Sequence, residues 1–417
     1  MTRIAFRFFF AYCCLYMFYT WLRFQTIPGL KQLHGFIWPI WRGVVMFFND
    51  HLLHIGGTLI EPNSSTDTSF SWAAQFTMLI VAVLIAGAWT IIDRKRDNHQ
   101  TEEYWLRVAV RYFITYFALY YGIIKLFAVQ MPFPSLSQLS TPLGDLSLTR
   151  LSWMYMGASP AYQVFSGVLE TMAGIFLLNR RTVTLGAMLS AAVFGNVVAM
   201  NFAYDIPVKI MSAHFFLLSI YLLCFEWRRL LDFFLNKPTT PADLYRPSFE
   251  SKPAKYGRIA AQGAFLYVSV VMVLILSINT YRSQHLVVDT KPIEQGIYDV
   301  KYFSLNGDSV LTGRDSLRWR DLALYGVTGS VKASDTSFVQ RYERSYFFFD
   351  VDPQAGMLNI RRNYGDEKKL MALRYEIPDA ETLKLTNESL VIVLKKSKKK
   401  FELAGPNQFH WLQESSK

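Results

Sequence analysis

The chain has 417 residues, 52% of them hydrophobic and 16% aromatic but only 18% charged, with 43 Lys+Arg against 32 Asp+Glu. A soluble globular domain carries about 25% charged residues, so a fully soluble enzyme, a disordered chain, a coiled coil and a disulfide scaffold are excluded. The formal net charge of +11 is uneven: residues 284–417 hold 20 Lys+Arg and 18 Asp+Glu, which leaves 23 against 14 for the apolar residues 1–283, so the basic excess belongs with a membrane part and does not signal nucleic acid.

A spanning helix needs about 20 mostly apolar residues. Seven windows qualify: 4–22, 72–92, 108–129, 162–178, 183–202, 210–225 with a short extension, and 259–278. The first follows Arg3 and Arg7 as a signal sequence would, but its core is aromatic, no small-residue cleavage site follows and Arg23 comes next, so it reads as an uncleaved anchor. Residues 34–55 form an eighth apolar stretch, interrupted by Pro39, Arg42, Asn49, Asp50 and His51, which reads as an interfacial or re-entrant helix. With the N-terminus inside, the inner segments carry fifteen Lys/Arg and the outer ones only Arg23, Lys31, Arg42, Arg150 and Lys209. That bias predicts a cytoplasmic N-terminus and an extracytoplasmic tail, the periplasm in a Gram-negative bacterium. The proline-rich stretch 236–258 reads as an irregular inner connector before the last span, 259–283.

Beyond residue 284 the apolar pattern takes the strand period. Segments 297–305, 344–352, 356–362, 369–377, 382–386 and 389–396 alternate, 317–325 is a seventh candidate, and Asn306-Gly307 and 353–356 have turn chemistry. Six to eight short antiparallel strands predict an all-β barrel or sandwich. Its opening GIYDV, with Trp319 after it, loosely resembles lipocalins. The run 395–400 reads as a solvated strand end. Cys13, Cys14 and Cys224 have no CxxC spacing, which removes a thioredoxin-like site and a zinc ribbon.

Ionisable residues inside spans are expensive and mark function unless they reach an interface. Lys125 lies near the outer end of the third span, where it can either snorkel or find a carboxylate. Glu170 sits mid-span, too deep to reach water, and a Lys125–Glu170 pair across two helices would satisfy both. Structural pairing and proton handling are equally open for them. Gly167 and Gly174 flank Glu170 and favour close helix packing. Asn196 and His214 are expected to project into the bundle, with Asp205 and Lys209 at its outer mouth. Together with Lys125, and with Asp50, His51 and His54 of the interfacial helix, they would frame one outward-opening polar pocket suited to a quinone head group. Haem is disfavoured because only His214 lies in a clear span, and no flavin or iron–sulfur motif is present.

Two stretches carry a family resemblance. YGIIK (121–125) and SGVLETMAGIFLLNRRTVTLGAML (166–189) resemble the core helices of DoxX-like membrane proteins, and 196–223 resembles the fourth helix of that bundle. The whole chain also resembles larger bacterial relatives with extra N-terminal segments, an outer NSSTDTSF loop (63–70) and a β-rich tail ending in FHW (409–411). A more distant likeness is to the helical membrane domain of vitamin K-dependent carboxylases. The apolar windows predict an α-helical polytopic bacterial inner-membrane protein of about seven spans, and the DoxX resemblance implies a four-helix core within it. It would comprise residues 1–107 with the interfacial helix, a four-helix bundle over 108–235, the connector, the last span, and a soluble β-domain over 284–417. It further implies a quinone-interacting subunit of a membrane redox or oxidative-stress complex, in which Lys125 contacts the quinone, Glu170 positions it or relays a proton, and a partner protein supplies electrons. The rival is a non-enzymatic scaffold or envelope-maintenance protein whose β-domain binds a partner. A transporter of small anions or lipids ranks below both, since no inverted repeat is visible.

Overall fold

The computed structural model describes residues 2–25, 27–62, 67–94, 96, 98–239, 251–285, 290–309, 318–333, 337–341 and 344–404. Lys95, Leu317, the first half of the NSSTDTSF loop, the middle of the connector and the FHW tail lie outside the described residues. The chain divides into two compact units, one formed by Met1–Gln130 with Ala161–Thr280 and the other by Met131–Pro160 with Tyr281–Lys417.

The first unit is helical. Its helices are α1 (Arg3–Arg23), α2 (Pro28–Phe48), α3 (Ser69–Ile92) and α4 (Gln100–Leu126). The second unit then interposes two short helices, α5 (Leu136–Leu139) and α6 (Leu148–Ala158). The helical unit resumes with α7 (Pro160–Leu178), α8 (Val183–Ala203), α9 (Lys209–Cys224), α10 (Trp227–Phe234), α11 (Lys252–Leu266) and α12 (Met272–Gln284). A π-helical turn, Tyr267–Val271, joins α11 to α12, and another, Asn49–Leu53, ends α2. Among the described residues, α1, α3, α7, α8 and the continuous Lys252–Gln284 rod are long and apolar enough to cross a membrane. A sixth crossing is counted if α9 and α10, bent by 75°, form one broken span. Only 22% of the apolar window of α3 is buried, so much of its hydrocarbon surface has no protein partner.

The expected third span is α4, and it falls outside that set. Its stretch Phe113–Leu119 is buried at every position, hence on all sides of the helix. A helix enclosed by other helices needs no apolar belt toward lipid, and α4 instead carries tyrosines and charges along its length. The segment 34–55 is likewise not among the crossing helices; α2 starts at Pro28 and ends in the polar π turn, with Asn49 Oδ1 accepting from the Ile55 amide at 3.0 Å. The last rod begins at Lys252 and so takes in the end of the expected connector, because Ser251 caps it and Pro253 fits its first turn. Hydroxyls inside the helices return to carbonyls one turn back, as with Ser212, Ser219, Ser269 and Ser277.

The second unit is a β-barrel. Its strands are β1 (Gly296–Leu305), β2 (Asp321–Tyr325), β3 (Thr328–Val331), β4 (Val339–Arg341), β5 (Arg344–Asp352), β6 (Met357–Arg361), β7 (Met371–Asp379), β8 (Thr382–Thr386) and β9 (Leu390–Lys396). All pair antiparallel in the order β3-β2-β1-β9-β8-β7-β6-β5-β4, and β3 also pairs β5, which closes eight strands into a ring with β4 outside it. The ring decides between the two expected all-β folds in favour of a barrel. Side chains from most of its strands meet in one buried cluster that includes Phe303, Trp319, Phe347, Phe349, Leu358 and Ile392. β3 and β4 escape the strand pattern because they are only four and three residues long and largely polar.

Residues 131–160, expected within the four-helix bundle, belong to the barrel unit instead. Ser330 on β3 bonds Ser137 on α5 at 2.6 Å, and Lys332 pairs Asp145 at 3.4 Å. Beneath this contact Arg344, 1% exposed, holds Asp321 with two hydrogen bonds of 2.9 and 2.6 Å and donates to Ser330 Oγ at 3.0 Å.

Candidate functional site

The structure brings Lys125 and Glu170 together. Lys125 Nζ pairs Glu170 Oε1, with the two side chains 7% and 1% exposed. Small residues make this possible. A Cβ on Gly167 would stand 2.8 Å from Gly122 O, Leu126 N and Lys125 Cβ, and one on Gly122 would stand 2.7 Å from Thr171 N. Backbones this close leave the lysine stem no room sideways. Because Cα–Cβ bonds tilt toward a helix's N-terminus, Lys125 reaches back along α4 rather than toward its end. The side chain therefore runs inward to the carboxylate and does not snorkel. Glu170 Oε2 is buried without a hydrogen-bond partner among the described residues, as is Thr171 Oγ1 beside it.

His214 belongs to a separate cluster. Its Nδ1 lies 2.6 Å from the Ile210 carbonyl, which can only accept, so Nδ1 carries a proton. In the neutral ring Nε2 is then the acceptor, and Tyr12 Oη donates to it at 2.5 Å. Gln75 Nε2 donates in turn to Tyr12 Oη. The result is a directed chain from α3 through α1 to α9. Tyr16 stacks on the imidazole with ring centroids 3.7 Å apart. Beside this chain lies a cavity of about 70 Å³, lined by Tyr16, Tyr19, Arg23, Asp67, Gln75 and Met211 among others. That is several times the space one water needs. Lys125 and Glu170 do not line it.

Asp67 closes the same end of the bundle. Its carboxylate accepts from the Lys209 amide and, at 3.4 Å, from the Ile210 amide, the first two N–H groups of α9. It caps that helix from a distant loop. Burial raises its pKa above the usual carboxylate value, against the two amide bonds and Lys209, which lower it.

The remaining expected residues do not join one pocket. Asn196 is exposed on α8, and the inward residue is Asn201, which bonds Ser212 on α9 at 2.9 Å. Five residues of helix turn about 140°, enough to move a side chain from one face to the other. Asp205 and Lys209 pair at 2.7 Å on the exposed turn. His51 is exposed, stacked on Phe47 and bonded to its carbonyl at 2.8 Å. Asp50 and His54 lie in and just after the same π turn. The expected pocket thus resolves into a buried ion pair, a histidine hydrogen-bond chain beside an aromatic-lined cavity, and surface pairs.

Sequence reasoning missed Tyr12, Tyr16, Gln75 and Asp67. Tyrosines in an aromatic-rich span look lipid-facing, and nothing in Gln75 alone marks it; the available signal was an amide and a histidine buried in two different spans, each needing a partner. Arg7 was also misplaced as a flanking loop charge. It is buried in α1, where Nη2 donates to the Asp93 carbonyl at 2.6 Å.

No family model matches the chain, and no solved structure matches it. It is similar to "Uncharacterized protein YwoB" of Bacillus subtilis (strain 168), 31% identical over 88 residues. The match covers 21% of this chain and 57% of that relative, so the chain spans little more than half of the protein it matches.

Proposed function

We propose that the chain is an integral membrane protein whose cavity between α1, α3 and α9 receives the head group of a membrane quinone, as a subunit of a redox complex. The observation that carries this reading is the Gln75–Tyr12–His214 hydrogen-bond chain beside an aromatic-walled cavity. A quinone ring asks for hydrogen-bond donors at its two oxygens, ring-shaped walls and a way in from lipid. Tyr16 and Gln75 supply donors, Arg23 a charge at the rim, and Tyr19, Phe70 and Met78 the walls. A bound quinone supplies two-electron, two-proton chemistry, and the electrons come from a partner protein. Tyr12 and His214 act by positioning: His214 Nε2 accepts from Tyr12 Oη, which accepts from Gln75 Nε2, and this holds the amide at the cavity wall.

In this reading α4, α7, α8 and α9 form a DoxX-like core, with the N-terminus cytoplasmic and the barrel outside the inner membrane. Supporting this reading, segment 131–160 and the tail belong to one compact unit, as they would if α4 and the last rod ended on the same side. That needs an even number of crossings between them, which α7, α8, α9 and the Lys252–Gln284 rod provide when α9 counts as a span. The excess of Lys and Arg on the opposite side agrees.

The test is extraction of the full-length protein in mild detergent, followed by quantification of co-purifying quinone and titration with a short-chain quinone. Wild type should retain quinone in near-stoichiometric amount. Gln75→Leu combined with Tyr12→Phe should lose it while remaining folded. Well-folded wild type that neither retains nor binds quinone overturns the proposal.

One observation favours the scaffold reading for part of the site. The Lys125–Glu170 pair is buried where glycines bring the backbones of α4 and α7 into close contact, which suits a structural bridge between them. If the protein is only a scaffold, the cavity variants will be silent.

A further inference from the structure

At the end of the helical unit opposite the Asp67 loop, two neighbouring clefts of about 710 and about 1050 Å³ open beside α4. Arg107, Arg111, Arg180, Arg181 and Arg229 line the first, and Arg111, Arg180 and Arg258 the second. Two of these six arginines are paired to acids, Arg229 to Glu226 at 2.5 Å and Arg107 to Glu103 at 4.0 Å. Among the described residues Arg111, Arg181 and Arg258 have no carboxylate partner, and Arg111 Nε is buried without an acceptor. Like charges gathered in excess of counter-charge are unfavourable unless an anion completes the site. Guanidinium forks match phosphate oxygens two at a time.

The second cleft also runs along apolar surface. Val108 of α4, Leu178 at the end of α7, and Ala261 and Phe265 of α11 line it beneath the arginines. The rod that supplies Ala261 and Phe265 is long and apolar enough to cross a membrane, and only 11% of its apolar window is buried. A charged mouth above a greasy trough fits an amphiphile, not a free ion.

We propose that these clefts form a binding site for a phosphate-bearing lipid, with its head group between Arg111, Arg180 and Arg258 and an acyl chain lying between α4 and α11. The proposal rests on the membrane reading above and is independent of the quinone cavity, which lies at the other end of the bundle. The phosphate chemistry could also be met by a soluble phosphate, and the test separates the two sources.

Full-length protein is measured by native mass spectrometry in mild detergent, with dioleoyl phosphatidic acid, dioleoyl phosphatidylcholine or inorganic phosphate added in turn. The expected result is retention of phosphatidic acid in preference to phosphatidylcholine. Affinity should fall about fivefold per arginine removed and about 25-fold in Arg111→Gln/Arg180→Gln. Arg258→Gln, on the exposed start of α11, gives the same direction without disturbing the fold, and Arg228→Gln, outside both clefts, should change nothing. Equal retention of the two lipids, wild-type affinity in the arginine variants, or inorganic phosphate binding as tightly as the lipid would each overturn the proposal.

Discussion

At the scale of single residues, the buried ion pair is defined by what its loss leaves behind. Removing one partner of a buried pair strands the other, at a cost of about 3–5 kcal/mol, whereas an apolar pair of similar volume is often tolerated. Lys125→Met and Glu170→Leu should therefore each lower the melting temperature in detergent strongly, and the double variant should recover most of the loss. Additive losses in the double variant would mean that the two groups act separately. Asp67 offers a test with a pH signature. Its folded pKa lies above the unfolded value, so the folded state binds the proton more readily and the ionised group weighs against folding once pH rises through that folded pKa. Asp67→Asn keeps an acceptor for the α9 amides and should flatten this dependence above about pH 4. Asp67→Ala loses the cap as well and should cost about 1 kcal/mol. Thermal melts across pH 4–7 distinguish the two.

At the scale of elements, helix packing is decided at glycines, and two of them predict opposite results. Gly167→Ala would place a methyl 2.8 Å from backbone atoms of α4 that cannot swing aside, a strain of about 1–3 kcal/mol. Gly263→Ala on α11 meets nothing within 4 Å, so its helix gain of about 0.5–1 kcal/mol should survive. Melting temperatures should move down for the first and slightly up for the second. Such contacts were partly legible beforehand: an acid in mid-span with glycines about it announces both a partner and a close neighbour, and Lys125 answered. Strand positions were legible wherever alternation ran five residues or more, as in β1, β5 and β9. The chain of Tyr12, Gln75 and His214 was not, because a residue's rotation about its helix follows from packing that no single segment contains. Asn196 and Asn201 make the point: both are amides in one span, and only their angular position separates the exposed from the buried. The excursion of residues 131–160 was hidden for another reason, since its attachment rests on polar contacts such as Ser137 with Ser330 that leave no periodic trace.

For the whole molecule, two units with separate cores should unfold separately. Arg344 belongs to the barrel, where its guanidinium satisfies Asp321 and Ser330 out of water. Arg344→Ala leaves Asp321, 20% exposed, with the Lys332 amide as its remaining donor, and should lower the β transition by about 1.5–3 kcal/mol while the helical transition stays in place. Circular dichroism melts followed at strand and helix wavelengths report both; a single shared transition would contradict the division. The ring of eight strands has a consequence for any protein that recognises this domain. Because β3 meets β5, the main-chain groups of the ring are spent on one another, and within the described residues just the three-residue β4 keeps an outer margin. An extended peptide cannot be zipped onto such a surface as an additional strand. A companion protein would have to read the shape and charge of the loops, and would leave the closed wall as it found it.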